Sequence, residues 1–268
     1  MRWLRVPGAD DDKRSMGVLG MVTGSSRYPG AAVLGVEAAW RTGVGVVRLW
    51  APERVQDLVL ARRPETMCHA LDEELEDVDG WVLGSGQDAR QRDSALRARL
   101  LGALRSGAPC VVDAGALDLV AGHAGAAVVT PHARELARLL GHLGHLGLPV
   151  DDERMRAASA AAALDAVVVA KGAATHVVAP SGAAITIAAP THRLATAGTG
   201  DVLAGMLGAI VASNALAAAD AAQLAAMAAE AVALHGAAAQ AASHDGRPIT
   251  ALDVAERVPA VIAREVSP

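Results

Sequence analysis

The sequence predicts an α/β protein with one mostly parallel central sheet and helices on both faces. Three observations carry that expectation. Short Val-rich runs alternate with helical patterns through the first two thirds of the chain. The runs are apolar throughout instead of alternating in polarity, as strands buried on both faces of a parallel sheet are. Glycine and small polar residues follow several of them directly, and open parallel sheets bind their ligands beyond the carboxyl ends of the strands.

The elements follow in order. Strand candidates are residues 18–23, 44–50, 81–83, 110–112, 126–129 and 167–170. Between them, 31–41, 53–62, 91–105, 134–140 and 152–164 carry helical patterns. Such alternation implies βαβ units. After Lys171 the grammar changes. Residues 176–179 and 184–188 flank Pro180-Ser181-Gly182, a turn signal, which predicts a β-hairpin. The spans 201–213, 217–243 and 250–264 are helical, and Thr250 with Asp253 has the spacing of a helix start. With no internal repeat and no long linker, one domain over 17–268 is expected after an N-terminal tail, 1–16.

Composition narrows the function. A chain of 268 residues, 52% hydrophobic, can bury a large core. Its net charge of -5 argues against a nucleic-acid or membrane-surface partner, which calls for a basic patch. Aromatics are 2%, with no Phe, so stacking platforms for single strands are missing. The start lacks the basic-then-apolar pattern of a leader, and no uncharged apolar run approaches the ~20 residues of a membrane span. Cys68 and Cys110 have no metal-ligand spacing and suit a reducing, cytoplasmic setting. The 62 alanines are compositional, but the lysines are informative: of 24 basic residues only Lys13 and Lys171 are Lys.

Four segments carry candidate chemistry. In Ala197-Gly198-Thr199-Gly200-Asp201, two glycines precede an apolar helix whose first N–H groups and dipole favour phosphate. Asp201 would cap that helix, either as an ordinary N-cap or with its carboxylate at the edge of the anion hole. In Val168-Val169-Ala170-Lys171-Gly172-Ala173-Ala174-Thr175, a buried strand ends in Lys-Gly. This places a point charge near phosphates or, more plainly, a surface lysine in a turn. In Thr130-Pro131-His132-Ala133-Arg134-Glu135, a helix begins near His132. His132 and Glu135 then share a face, and Glu135 suits either a hydrated Mg²⁺ or the helix dipole. Finally, Gly24-Ser25-Ser26-Arg27-Tyr28-Pro29-Gly30-Ala31 opens a strand into a small-residue loop and helix, either a surface for a ligand or a plain connection.

Together and in this order, the segments resemble the NAD(P)H-hydrate dehydratase family of the ribokinase-like superfamily. The matching residues are Pro29-Gly30-Ala31, Gly84-Ser85-Gly86-Gln87-Asp88, Asp113-Ala114-Gly115-Ala116-Leu117, 130–135, 171–175 and 198–201. The likeness runs from Gly17 to Pro259. Three departures stand out. Asp88 replaces a family glycine, Gly115 replaces the second acidic residue of an Asp-Ala-Asp motif, and the loop 189–194 is short.

The resemblance implies a ribokinase-like three-layer sandwich and repair of NADHX and NADPHX, the hydrates of NADH and NADPH. The hydroxyl at the ring's C6 is phosphorylated from ADP, or ATP in some relatives, and phosphate elimination regenerates the cofactor. By position, Ala31, Gly86, His132 and Asp201 would contact the hydrate, with Asp201 as catalytic base. Lys171, Gly172, Ala173, Ala174, Thr175 and Gly200 would hold the nucleotide, with Mg²⁺ at Glu135. A homo-oligomer is expected, as family members are often tetramers. The length leaves no room for the epimerase to which some relatives are fused, so a separate partner would supply it.

Rival readings are a small-molecule kinase of the same superfamily, a non-catalytic nucleotide-binding paralogue, and a Rossmann oxidoreductase. The last rests on a Gly-x-Gly-x-x-Ala match at 84–89 that has no acidic residue ~20 positions on. His142 and His145 are expected in a loop, and His235 as a packed helix residue.

Overall fold

The structure is a computed structural model that describes residues 1–145, 147 and 152–266. Its strands are β1 (Val18–Val22), β2 (Val46–Trp50), β3 (Met67–His69), β4 (Gly80–Leu83), β5 (Cys110–Val112), β6 (Ala127–Val129), β7 (Val167–Ala170), β8 (Ala174–Val178) and β9 (Ala184–Ala188). Its helices are α1 (Pro29–Thr42), α2 (Glu53–Arg62), α3 (Ser94–Leu104), α4 (Ala133–His142), α5 (Glu153–Leu164), α6 (Thr199–Ser213), α7 (Ala215–Ala218), α8 (Ala221–Ala242) and α9 (Ala251–Glu265).

The strands form one sheet in the order β3-β2-β1-β4-β5-β6-β7-β8-β9. Pairing is parallel from β3 to β7, and the β8–β9 hairpin closes the far side antiparallel. The register is what positions the site. Val22 faces Leu83, Leu83 faces Val112, Val112 faces Val129 and Val129 faces Val168. The central strands therefore end together, and the residues after them share one edge.

Both sheet faces are covered, which explains the unbroken apolar runs. Alternate residues of a strand point to opposite faces. Leu19, Met21, Val82, Val111, Val167 and Val169 pack into one core layer under α1, α6, α8 and α9. Val22, Leu83, Val112, Val129 and Val168 pack into the other under α3, α4 and α5. In the first layer α1 and α6 touch backbone to backbone. A Cβ on Gly205 would lie 2.1 Å from the carbonyl oxygen of Gly35.

Differences from the sequence expectation are local. β3 is a three-residue edge strand, too short to stand out by periodicity. Residues Ala114–Gly122 form a 3-10 segment. The long Ala-rich span divides, because Asp220 accepts a hydrogen bond from the Gln223 N–H (2.9 Å) and starts α8 there. Asp93 likewise starts α3 at Ser94, three residues later than expected. β8 begins at Ala174. The N-terminal segment is docked: Trp3 and Leu4 are buried, and the Glu230 carboxylate accepts from the N–H groups of Arg2 (2.8 Å) and Trp3 (2.9 Å). Among the described residues, no helix is long and apolar enough to cross a membrane.

Glu37 fastens α1 to α2. Its side chain is fully buried and ion-paired with Arg41, Arg62 and Arg63. Burial pushes the carboxyl up, but the hydrogen bonds from Arg63, Arg41 and Arg62 outweigh it and hold it at about 2. The lowered value means the pair stabilises the fold above the unfolded carboxyl's range and loses that contribution as pH falls through about 2. Glu37→Gln is expected to cost about 2 kcal/mol in urea unfolding at pH 7, since it removes the buried charge that three partly exposed guanidinium groups hold. The gap from wild type should narrow as the pH is lowered from 4.5 toward 2.

Candidate active site

The aligned strand ends bring four polar side chains together. Asp113 follows β5 directly and is buried. Its Oδ1 accepts hydrogen bonds from Thr130 Oγ1 (2.7 Å) and Lys171 Nζ (2.8 Å), and its Oδ2 from Ser85 Oγ (2.9 Å). Ser85 lies just beyond β4, Thr130 follows β6 and Lys171 follows β7. One carboxylate thus ties together four neighbouring strand ends. Burial opposes both charges of the Asp113–Lys171 pair, and mutual attraction outweighs it. The Asp113 carboxyl sits below its ordinary value and the Lys171 ammonium above.

Lys171 also faces the start of α6. Gly198 takes a left-handed φ of 92° at the cap, and a Cβ there would lie 2.5 Å from Leu34 Cδ1. Only glycine suits this turn on both counts. A Cβ on Gly200 would lie 3.3 Å from Lys171 Nζ, so the ammonium rests against the first turn of the helix. An ammonium and the unpaired N–H groups of a helix start both attract anions, and here the two lie side by side.

Asp201 is the third residue of α6, not its cap; Gly198 holds that place. No hydrogen bond reaches its carboxylate among the described residues. Burial pushes its carboxyl up to about 7, Asp113 adds to the rise, and Lys171 opposes it. A carboxyl near neutrality is suited to accept a proton at physiological pH.

His132 caps α4, which starts one residue later. Its Nδ1 accepts from the N–H groups of Arg134 (3.1 Å) and Glu135 (3.3 Å), while Glu135 Oε2 accepts from the His132 N–H (2.9 Å). This is a capping box. Glu135 Oε1 is the less engaged oxygen, 3.6 Å from His132 Nε2. Among the described residues, no three His, Cys, Asp or Glu side chains converge as a metal centre.

Two cavities flank this edge. The first, about 780 Å³, lies between the hairpin, α6 and α8. Lys171, Gly172, Ala173, Thr175, Gly200 and His132 line it, with an apolar wall that includes Ile187, Leu203 and Val232. Ala174 is not on its wall, because β8 starts there and successive strand residues alternate in direction. The second cavity, about 550 Å³, is lined by Tyr28, Gln87, Glu135 and Arg138 among others. Ala31 and Gly86 sit beside it: a Cβ on Gly86 would lie 2.3 Å from Ala31 Cβ and 2.9 Å from the Tyr28 carbonyl oxygen. The His132–Glu135 turn separates the two spaces.

His235 is a packed helix residue, as expected, and also lines the first cavity. Burial pushes its imidazole down to about 4, so it is neutral at pH 7. His145 Nδ1 meets Ser159 Oγ at 2.7 Å. The residues that sequence reasoning left without a role are Asp113, Ser85 and Thr130. Each lies in a segment singled out by its motif, but nothing local shows that positions 28 and 17 apart in the chain share one carboxylate.

The fold and site define an α/β protein of ribokinase-like architecture with a lysine-lined cavity at the carboxyl edge of its sheet. The family model for NAD(P)H-hydrate dehydratase matches residues 19–260, and the chain belongs to that family. The bifunctional NAD(P)H-hydrate repair enzyme of Mycobacterium tuberculosis is 40% identical over 220 residues, covering 79% of this chain and 44% of that protein. The chain thus spans less than half the length of that relative. The ADP-dependent (S)-NAD(P)H-hydrate dehydratase of Neisseria meningitidis is 32% identical, covering 76% of this chain and 72% of that one. Among solved structures, the ADP/ATP-dependent NAD(P)H-hydrate dehydratase of Bacillus subtilis, co-crystallised with ATP/Mg²⁺, superposes with a TM-score of 0.79 at 26% identity. It covers 97% of this chain and 93% of that one.

The raised Asp201 carboxyl carries a stability cost with a defined sign. Its folded value lies above the unfolded one, so stability falls as pH rises from 3.8 through about 7. Asp201→Asn should therefore be more stable than wild type at pH 8, by roughly 1–3 kcal/mol in denaturant unfolding, with the advantage gone at pH 4.

Proposed function

We propose that the protein is an ADP-dependent NAD(P)H-hydrate dehydratase, a hydro-lyase that converts NADHX and NADPHX to NADH and NADPH. The observation that carries the reading is Asp201, a carboxyl held near neutrality on the first turn of α6 beside a lysine-lined cavity. Two cavities separated by one turn also suit a reaction that needs both a phosphoryl donor and a dinucleotide.

In this reading the nucleotide occupies the first cavity. Lys171, Gly172, Ala173 and Thr175 form its strand-side cradle, and the N–H groups at Gly200 face the moving phosphoryl group. The apolar wall takes the base. The hydrate lies against Ala31, Gly86 and His132, with its C6 hydroxyl at Asp201. Phosphoryl transfer asks mainly for positioning and charge stabilisation, plus a group to orient the attacking hydroxyl. Asp201 accepts the hydroxyl proton as the oxygen bonds to the terminal phosphorus of ADP and AMP leaves. The C6–O bond then breaks as phosphate departs, the ring nitrogen donates electrons, a proton is lost from C5, and the double bond returns.

Glu135 suits Mg²⁺ in the manner of a hydrated ion, which takes one or two carboxylates and otherwise waters and phosphate oxygens. Its Oε1 is the oxygen left for that role, because Oε2 is committed to the cap. When bound, the ion neutralises charge on the phosphoryl oxygens. The residues 17–268 act as one domain, in the cytoplasm. The open edge of β9, where Ile185 is 45% exposed, supports assembly into a homo-oligomer.

The test is incubation of the protein with NADHX and ADP while NADH absorbance is followed. Turnover is expected, and Asp201→Asn should lower it about 10²–10⁴-fold, the range for loss of a general base. Near-normal turnover by that variant would remove Asp201 as the base. Because the base must be ionised, kcat/KM should rise with pH through about 7 and then level off. Chelation of divalent cations should stop turnover, and added Mg²⁺ should restore it.

A further inference from the structure

We propose that Asp113 is a positioning residue for nucleotide binding: held by Ser85 and Thr130, it fixes the Lys171 ammonium at the phosphate end of the first cavity. The inference rests on the reading of that cavity as the nucleotide site and adds a residue that touches neither ligand.

Three observations support it. Asp113 is buried, with 3% of its surface exposed, so it cannot meet a ligand directly. Among the described residues, the partners of its carboxylate are side chains of other strand ends, and of these Lys171 alone also lines the cavity. The hydroxyls of Ser85 and Thr130 are themselves buried, so the carboxylate is clamped from two sides before Lys171 reaches it. A flexible four-carbon stem is thereby held in one geometry, which lowers the entropy lost when phosphate binds. The clamp leaves two of the three ammonium donors for phosphate. Asp113 also keeps the ammonium charged, since burial alone would depress it.

An Asn at 113 keeps the shape but removes the charge and turns an acceptor into a donor facing a hydroxyl or the ammonium. Asp113→Asn, Lys171→Met and the double variant should be compared for ADP affinity by titration calorimetry, with thermal melts to confirm folding. Each single change is expected to weaken ADP about tenfold, the scale of one charge-assisted contact. The double variant should bind no more weakly than Lys171→Met alone, because Asp113 acts through the lysine. In turnover assays, Asp113→Asn should raise KM for ADP while KM for the hydrate stays within about twofold. Multiplying single effects, or unchanged ADP affinity in Asp113→Asn, would overturn the proposal.

If Asp113→Asn does not fold, Thr130→Val and Ser85→Ala serve instead. Each should weaken ADP binding in the wild-type background and have no effect beside Lys171→Met; loss in both backgrounds would overturn the proposal. ADP affinity is read without the hydrate, so the two readings fail separately. A protein that binds ADP with this coupling but leaves NADHX unchanged would refute the dehydratase reading and leave Asp113 in its role.

Discussion

A buried carboxylate is costly unless its charge is paired and its lone pairs are filled. Asp113 meets that condition with donors from three other strand ends, Ser85, Thr130 and Lys171. The requirement acts in both directions. The in-register parallel pairing of β4, β5, β6 and β7 is what lets the donors converge, and their convergence in turn holds the strand ends level. The position of Lys171, and through it the electrostatics at the start of α6, follows from this one arrangement.

Asp201 is the opposite case. It is partly withdrawn from water with no hydrogen bond to its carboxylate among the described residues, next to the charge of Asp113, and its carboxyl is pushed up to about 7. The same burial that weakens the fold above neutral pH makes the group a usable base. Glu37 shows what the chain does where a buried carboxylate serves structure alone: three arginines surround it, and its carboxyl is held at about 2. The two carboxyls belong to adjoining helices, α6 and α1, and their different environments separate a reactive group from a structural one.

Packing between those helices sets the depth of the site. Gly205 and Gly35 bring the backbones of α6 and α1 into contact, and the left-handed turn at Gly198 fits against Leu34. A side chain at Gly205 or Gly198 would collide with α1 and push the start of α6 away from it. The wealth of alanine in the chain acts similarly. It gave no site by itself, but small residues allow close helix approach where large aromatics would not.

Much of the fold was legible in the sequence. Val-rich strands at 110–112 and 167–170, the hairpin about Pro180-Ser181-Gly182 and helix 53–62 all lie where patterning placed them, because buried parallel strands and capped helices leave local signals. The edge strand β3 and the break before Asp220 did not, being three residues long in one case and a cap inside an Ala-rich run in the other. At the site, the sequence by itself determined which segments carry chemistry: a glycine turn before a helix, a rare lysine closing a strand, a Thr-Pro-His-x-x-Glu start. Only the tertiary structure decided how they act. It moved Asp201 from the cap to the third helical position, engaged Glu135 in a capping box, turned Ala174 from the cavity and joined Asp113 to Lys171 across 58 positions. Burial and charge coupling depend on what surrounds a group in space, and the sheet's register, not adjacency in the chain, supplies those neighbours.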